Sequence, residues 1–480
     1  MATHGKFSGA LRSITDKGVC STEKPSAGAF SFWRRFEPEK GNEGMKFILK
    51  AGVAAGALGL LGINAARAEL PLSAIIAQGR AVIDLRLRYE NVDSAAQVLG
   101  AEAGTFRARL GYETGYWNGL QVSFDFDQVW TLGEDTYNST RNGKVAYPTV
   151  LDPSMTVLNR LQLAYASDFD TRFVIGRQRL ILGNQRFVGN VGWRQHEQTY
   201  DAFSAVNNSI EDLTVTYAWL HRVNRVGGPE IPAPSTTGPA ATAQANYLKS
   251  DSHVINGVYV GIENLRLEGY ALLLDFAPPG YATLPAQVTA VDRLDTNTFG
   301  ARLDYTHMFS EEITGKLTGE FARQSDAANN PLSFDLNYGL VEGSLTYAGI
   351  TGLVGYEILE GNGTIGFATP LATLHAFNGW ADMFLATPAN GLQDLYFRAS
   401  YVLPMDFLEF RSLTGIVTWH DYTTDNLGMG IGSEWNLSAE LAVDANLSFL
   451  GKFASYQGSG AAFGGFPDKT IFWLQAAYRY

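Results

Sequence analysis

Cysteine is almost absent: Cys20 stands alone among 480 residues, which excludes an internal disulfide and a thiolate metal site. Histidine is sparse. His4, His196, His221, His253, His307, His375 and His420 are scattered without the paired spacing of a metal centre, so neither metal nor cofactor is expected. After Ala68 no apolar run is long enough for a membrane-crossing helix, which needs ~20 residues. Positive charge is in deficit, with 36 Lys+Arg against 48 Asp+Glu and a formal charge of -12. That balance argues against a nucleic-acid partner.

What is present has an unusual distribution. Hydrophobic residues make up 46% and aromatics 12%, yet the mean hydropathy is only -0.06. Glycine, at 51 of 480 residues, exceeds the ~7% of ordinary proteins. Apolar residues are therefore spread along the chain rather than gathered into core helices. One segment departs from this. A basic start at Met45-Lys46 leads into an apolar run from Ala51 to Ile63, closed by Ala66-Arg67-Ala68 before Glu69. That is the layout of a cleavable secretory signal peptide over 45–68. Residues 1–44 then read as a dispensable or non-native extension, with translation starting at Met1 or at Met45. Removing the first 68 residues takes away ten basic and five acidic groups, leaving 69–480 with a formal charge of -17.

From Val82 onward the chain alternates apolar and polar residues, the period of a strand with two unlike faces. Ile83, Leu85, Leu87 and Tyr89 interleave with Asp84, Arg86, Arg88 and Glu90. Phe106, Ala108, Leu110 and Tyr112 interleave with Arg107, Arg109, Gly111 and Glu113. Leu120, Val122, Phe124 and Phe126 interleave with Gln121, Ser123, Asp125 and Asp127, and the habit persists through Phe299–Tyr305 and Leu395–Tyr401. A soluble sandwich and a membrane barrel share this period. The connections separate them, because short ones alternate with long ones. Short breaks fall near Trp117-Asn118-Gly119, 167–171, 207–212, 261–264, 308–312, 348–350, 404–407 and 438–440. Long ones include 131–156, 223–250, 277–297, 360–391 and 454–469. Short inner turns and long outer loops, with an even strand number, characterise outer-membrane barrels. The expected fold is thus all-β: a transmembrane antiparallel β-barrel of about eighteen strands in one chain, spanning 69–480. The last segment agrees, since Phe472, Leu474, Ala476, Tyr478 and Tyr480 share one face.

Basic charge is concentrated early. Residues 69–225 hold 15 basic and 17 acidic groups, whereas 226–480 hold 11 and 26. Arg86, Arg88, Arg107, Arg109 and Arg160 fall on polar strand faces, with Asp125 and Asp127 among them. Either these charges satisfy one another as a lumenal ladder, or the arginines form a cationic track that selects anionic solutes. Arg177, Arg186 and Arg194 follow, but Gly176 leaves their facing open. Catalytic patterns are thin. His420 and Asp421 are adjacent and so point to opposite strand faces, and the GMGIG run at 428–432 lacks a surrounding βαβ unit and reads as small strand residues.

One string is distinctive. Gly176-Arg177-Gln178 precedes the run Asn184-Gln185-Arg186-Phe187-Val188-Gly189-Asn190-Val191-Gly192-Trp193-Arg194-Gln195, and Glu197-Gln198-Thr199-Tyr200-Asp201-Ala202 follows. It resembles the signature of the alginate-export porin family. The resemblance implies a monomeric eighteen-stranded outer-membrane barrel, whose best-known member secretes the polyuronate alginate through an electropositive constriction. By the same resemblance Arg177, Arg186 and Arg194 would lie at or near that constriction. The expected function is a bacterial outer-membrane channel, not an enzyme, for passive diffusion or export of hydrophilic, anionic, sugar-like solutes or a polysaccharide. Its expected partners are membrane lipid and the solute. A barrel enzyme, a non-selective porin and a soluble secreted β-protein are the alternatives.

Overall fold

The computed structural model describes residues 72–228, 247–277, 290–405, 410–460 and 466–480. The signal segment 45–68 and the extension 1–44 lie outside the described residues. A one-turn helix, α1 (Leu72–Ala77), precedes the sheet.

Eighteen antiparallel strands follow in chain order. They are β1 (Arg80–Ser94), β2 (Ala101–Glu113), β3 (Leu120–Thr136), β4 (Met155–Ala166), β5 (Thr171–Gln178) and β6 (Thr199–Ile210). Next come β7 (Leu213–Asn224), β8 (Tyr247–Ile262), β9 (Leu265–Leu274), β10 (Thr296–Met308), β11 (Ile313–Asp326) and β12 (Asp335–Tyr347). The last six are β13 (Ile350–Leu359), β14 (Leu392–Pro404), β15 (Ser412–Thr423), β16 (Gly430–Ala442), β17 (Leu447–Gly458) and β18 (Lys469–Arg479). Phe276–Ala277 extend β9 past Asp275 and still pair with β8. Each strand pairs with its sequence neighbours, and β1 pairs with β18 from Asp84 opposite Arg479 to Ser94 opposite Lys469. The ring is closed, so no strand edge is left to lipid.

The two faces of this ring invert the order of a water-soluble protein. Leu87, Leu110, Phe126, Leu161, Phe299, Phe321, Phe397 and Leu474 are exposed on the outside. Their neighbours Arg86, Arg88, Arg109, Asp125, Asp127, Glu320 and Asp394 are buried inside. Charged groups are almost never buried unless paired. An exposed apolar band around a polar interior is stable only where the band meets hydrocarbon, and this barrel is built for an outer membrane. Among the described residues no helix is long and apolar enough to cross a membrane.

The expected short turns recur with small shifts. Asn118 (φ 47°) and Gly119 (φ 80°) form a two-residue hairpin closed by reciprocal Trp117 and Leu120 backbone bonds of 2.8 and 2.9 Å. A Cβ on Gly119 would lie 2.4 Å from the Ala166 carbonyl oxygen, so glycine is required there by contact as well as by φ. The turn expected at 438–440 is displaced. Ser438, Ala439 and Glu440 lie inside β16, paired with β15 and β17, and the chain reverses at 443–446. There the Asp444 carboxylate accepts bonds from the Asn446 and Leu447 amides at 2.7 and 2.8 Å, an Asx turn that outranks a small polar run. Gly428 also departs from expectation: it sits in the loop before β16 at φ 60°, whereas Gly430 and Gly432 belong to the strand.

Two long connections on the same end of the barrel fold into the lumen. The first, 179–198, follows the shortest strand, β5; the second is 360–391. They meet each other inside. Val188 bridges Leu371, the Gly189 amide donates to the Leu371 carbonyl at 2.9 Å, and the Thr373 amide donates to the Gln185 carbonyl at 3.0 Å. Aromatic packing anchors both to the wall. Phe187 lies 4.7 Å from Tyr270 and 5.3 Å from Tyr338, and Phe384 lies 4.7 Å from Tyr422, ring centre to centre. Phe367 and Leu371 are fully buried. The pair forms a partition across the lumen between the long-loop end and the turn end.

Candidate functional site

Strand alternation carries Arg86, Arg88, Arg107, Arg109, Asp125, Asp127 and Arg160 to the inner wall, as their polar-face positions predicted, and all seven are buried. A buried charge needs a partner, and most find a carboxylate. Arg109 holds Asp127 through two bonds of 2.6 and 2.8 Å and reaches Glu197 at 2.8 Å. Arg160 bridges Asp125 and Glu113, both at 2.7 Å. Arg107 pairs with Asp84 and donates to the Gln195 carbonyl at 3.1 Å. Along β2–β4, therefore, the charges form a self-satisfied ladder.

That ladder also grips the partition. Glu197, on the inward loop, accepts from Arg179, Asn159 and Asn190, each at 2.6 Å. Burial opposes its charge, but Arg109 and Arg179 outweigh that and hold its pKa down at about 2. Arg194 on the same loop reaches Glu90 at 3.0 Å, Asp382 at 3.3 Å and Asp152 at 3.6 Å. It thereby ties β1, the loop after β3 and the second inward loop to one guanidinium. Arg186 binds Glu357 at 2.8 Å and Asn378 at 3.1 Å, with Phe377 beneath its plane at 4.8 Å. Arg186 and Arg194 stand in the partition.

Arg177 does not. It is register partner to Leu161, which is 48% exposed, and so shares the outward face of the wall. There it binds Asp201 at 2.7 and 3.0 Å. Gly176 (φ 116°) bends the backbone without slipping the ladder, so parity holds and the expectation that Arg177 lines the channel is corrected. The pair sits outside the lumen.

The least compensated positive charge lies elsewhere, although Arg479 there reaches Asp84 at 3.7 Å. Among the described residues Arg86 has no carboxylate partner, and it donates to three carbonyls of the inward loop, Gly192, Trp193 and Arg194, all at 3.1 Å. Arg88 binds the Gln475 amide oxygen at 2.6 Å and stacks 4.0 Å over Trp193, with Asp152 at 3.8 Å. Lys452 on β17 is held by aromatic faces, 3.8 Å from Trp380 and 4.2 Å from Trp193. It donates to His375 at 2.7 Å, and His375 pairs with Asp382 at 2.7 Å. Burial, with Lys452 adjoining, pushes the His375 pKa down to about 3, so its ring is neutral and accepts a hydrogen bond from Lys452.

These groups surround a cavity of about 420 Å³ that extends from the partition to Arg479 at the turn end of β18. Arg86, Arg88, Arg398, Lys452 and Arg479 line it, with Trp193, Trp380 and His375, and no carboxylate stands among the described lining residues. Acidic groups on β10, β11 and β14 are already partnered. Asp304 and Glu320 share Arg302 at 3.1 and 2.8 Å, and Asp394 binds His420 at 2.9 Å. His420 points inward while Asp421 is exposed. Among the described residues no group of three or more His, Cys, Asp or Glu could hold a metal ion.

Sequence reasoning missed Lys452, Arg398 and Arg479. Each was accessible as an isolated cation on or beside an alternating strand, but no local feature shows that Arg479 meets Asp84 at 3.7 Å while Lys452 and Arg398 meet no carboxylate among the described residues. Trp193 was inside the distinctive string without a role attached to it.

A closed eighteen-strand barrel with an inward-folded constriction is the architecture of an outer-membrane porin. Solved structures agree on the fold. OccAB2 of Acinetobacter baumannii superposes with a TM-score of 0.62 at 14% identity, over 85% of this chain and 99% of that one. OpdK of Pseudomonas aeruginosa, solved with vanillate, gives 0.61 at 16% identity over 85% and 99%, and OccAB4 of A. baumannii gives 0.63 at 15% over 84% and 98%. Neither a family model nor a curated protein matches the sequence. The comparisons show the fold that outer-membrane porins share and lend nothing to the alginate-export family in particular.

Proposed function

We propose that the protein is a passive outer-membrane channel for small organic anions, carboxylates above all. One observation carries this: a cavity beside the constriction holds five cations, two tryptophan faces and no carboxylate among its described lining. Guanidinium groups bind carboxylates in a bidentate way, and rings of Arg and Lys suit anion-conducting pores. Tryptophan faces accept flat rings, aromatic or sugar, so a ring-bearing acid fits better than a bare inorganic anion. The structural neighbour solved with vanillate, an aromatic carboxylate, is consistent with this class.

Alginate and other polyuronates present the same carboxylates on rings. A cavity of about 420 Å³ is at the scale of a site for one small ligand, ~300–1,000 Å³, which favours a single acid over a threaded polymer. The chain closes its own barrel and is proposed to act as a monomer, exported through the 45–68 signal and beginning at Glu69 once cleaved. N-terminal sequencing of the membrane form checks that boundary.

The decisive experiment is the zero-current potential in planar bilayers under a KCl gradient. Anion selectivity is expected, shifting toward cations in Lys452→Gln and Arg86→Gln. Cation selectivity in the unmodified protein would overturn the reading.

A further inference from the structure

On the far side of the partition lies a second cavity of a different character. It has a volume of about 300 Å³ and opens among the long connections, bounded by the segment after β7, the start of β8, the residues before β10 and the inward loop 360–391. Its wall is largely apolar. Leu248 and Phe367 are buried in it, Phe384 closes one side, and Leu385 stands at the edge with 45% of its surface exposed. Two cations face this apolar wall without carboxylate partners among the described residues: Arg225, partly buried just beyond β7, and Arg293, exposed at the rim. Arg186 also lines the cavity, but its charge is committed to Glu357.

Arg225 is the informative residue. Every other guanidinium named in the partition is held by a carboxylate, a carbonyl or an amide oxygen. The Arg225 side chain has none of these among the described residues, and burial lowers its pKa from the ordinary guanidinium value. A partly desolvated cation kept without a counter-charge is unfavourable unless something supplies one. Apolar walls around it select what that something is. A small inorganic anion would leave Ile365, Leu374 and Leu385 uncovered, whereas a carboxylate carrying an apolar tail or ring would use both features.

We infer that this outer cavity is a capture site for amphipathic carboxylates: the carboxylate meets Arg225 and Arg293 while the apolar portion lies against half-buried Ile365 and Leu374 and exposed Leu385. The site stands on the long-loop side, ahead of the five-cation cavity. It therefore adds a first selection by apolar content to the selection by charge made further in. This deepens the channel reading and rests on it.

The test is block of single-channel current by 4-phenylbutanoate added to the long-loop side, with acetate and 4-phenylbutanol as controls. Phenylbutanoate is expected to block at a concentration at least tenfold below acetate, and the neutral alcohol not to block in that range. Arg225→Gln raises the half-blocking concentration about tenfold, which corresponds to ~1.4 kcal/mol. Leu385→Asp, at an exposed position where folding is not at stake, also raises it by adding a repelling charge. The migration shift of folded barrel on unheated gels shows that each variant has folded. If Lys452→Gln relieves the block while Arg225→Gln and Leu385→Asp leave it unchanged, the anion channel stands and the outer site is wrong. If none of the three shifts it and the pore is cation-selective, both readings fail.

Discussion

Replacing Arg194 by glutamine tests how the partition is held. The guanidinium is 11% exposed and faces three carboxylates, Glu90, Asp382 and Asp152, at 3.0, 3.3 and 3.6 Å. Glutamine keeps much of the length and can still donate from its amide NH2, but it leaves these buried carboxylates short of a charge. Arg88, 3.8 Å from Asp152, offsets part of one of them. Removing one partner from a buried ion pair costs about 3–5 kcal/mol. The barrel wall does not depend on this contact, because its hydrogen-bonded ring closes through β1 and β18. The loss therefore falls on docking of the two inward loops. Taking about 3 kcal/mol at 1.4 kcal/mol per factor of ten, the ratio of docked to undocked loop drops by more than a hundredfold. Single-channel recordings should then show frequent steps to a larger conductance, and trypsin should cut within 179–198 or 360–391 in the intact barrel. Adding Asp382→Asn removes one stranded charge and should restore part of the docking, giving a measurable coupling in the double-mutant cycle. A variant with quiet traces and unchanged protease resistance would refute the view that ion pairs hold the partition in place.

Acidification should loosen the same loops. The His375 pKa lies at about 3 in the folded protein, below the ordinary value, which is ~6.5 for a free side chain. Protonation therefore favours the undocked state. The contribution is complete above pH ~6.5 and is lost progressively as pH falls toward 3, with Asp382, Lys452 and Arg194 the charged neighbours. Current noise should rise between pH 6.5 and 4.5, and His375→Gln should flatten that dependence. Gly119→Ala should lower barrel stability in urea by about 1–3 kcal/mol through the left-handed backbone it must adopt and its contact with the Ala166 carbonyl; an unchanged midpoint would contradict the turn geometry. Arg177→Gln should leave ion selectivity as it was, since the side chain stands on the outer wall with Asp201. A shift as large as that of Lys452→Gln would return Arg177 to the lumen.

The barrel was legible because its cause is local. A period of two assigns each residue to one of two faces without knowledge of any partner, and this put Arg86, Arg88, Arg107, Arg109, Asp125 and Asp127 inside correctly. The parity argument would also have placed Arg177 outside, had Gly176 been trusted not to slip the register. Turn positions were readable where backbone conformation demands a particular residue, as at Asn118-Gly119, and unreliable where a side-chain cap made the turn, as at Asp444.

Alternation along the chain thus determined the fold class, the strand number and which charges meet the lumen, since facing depends only on near neighbours in sequence. Which of those charges remain available to a solute was decided by tertiary structure alone. Arg109 is shared between Asp127 on the neighbouring strand and Glu197, 88 positions away, and Arg86 is left to three carbonyls of a loop 106 positions on. Whether a cation is paired is a question of distance across the barrel, and no periodicity encodes it.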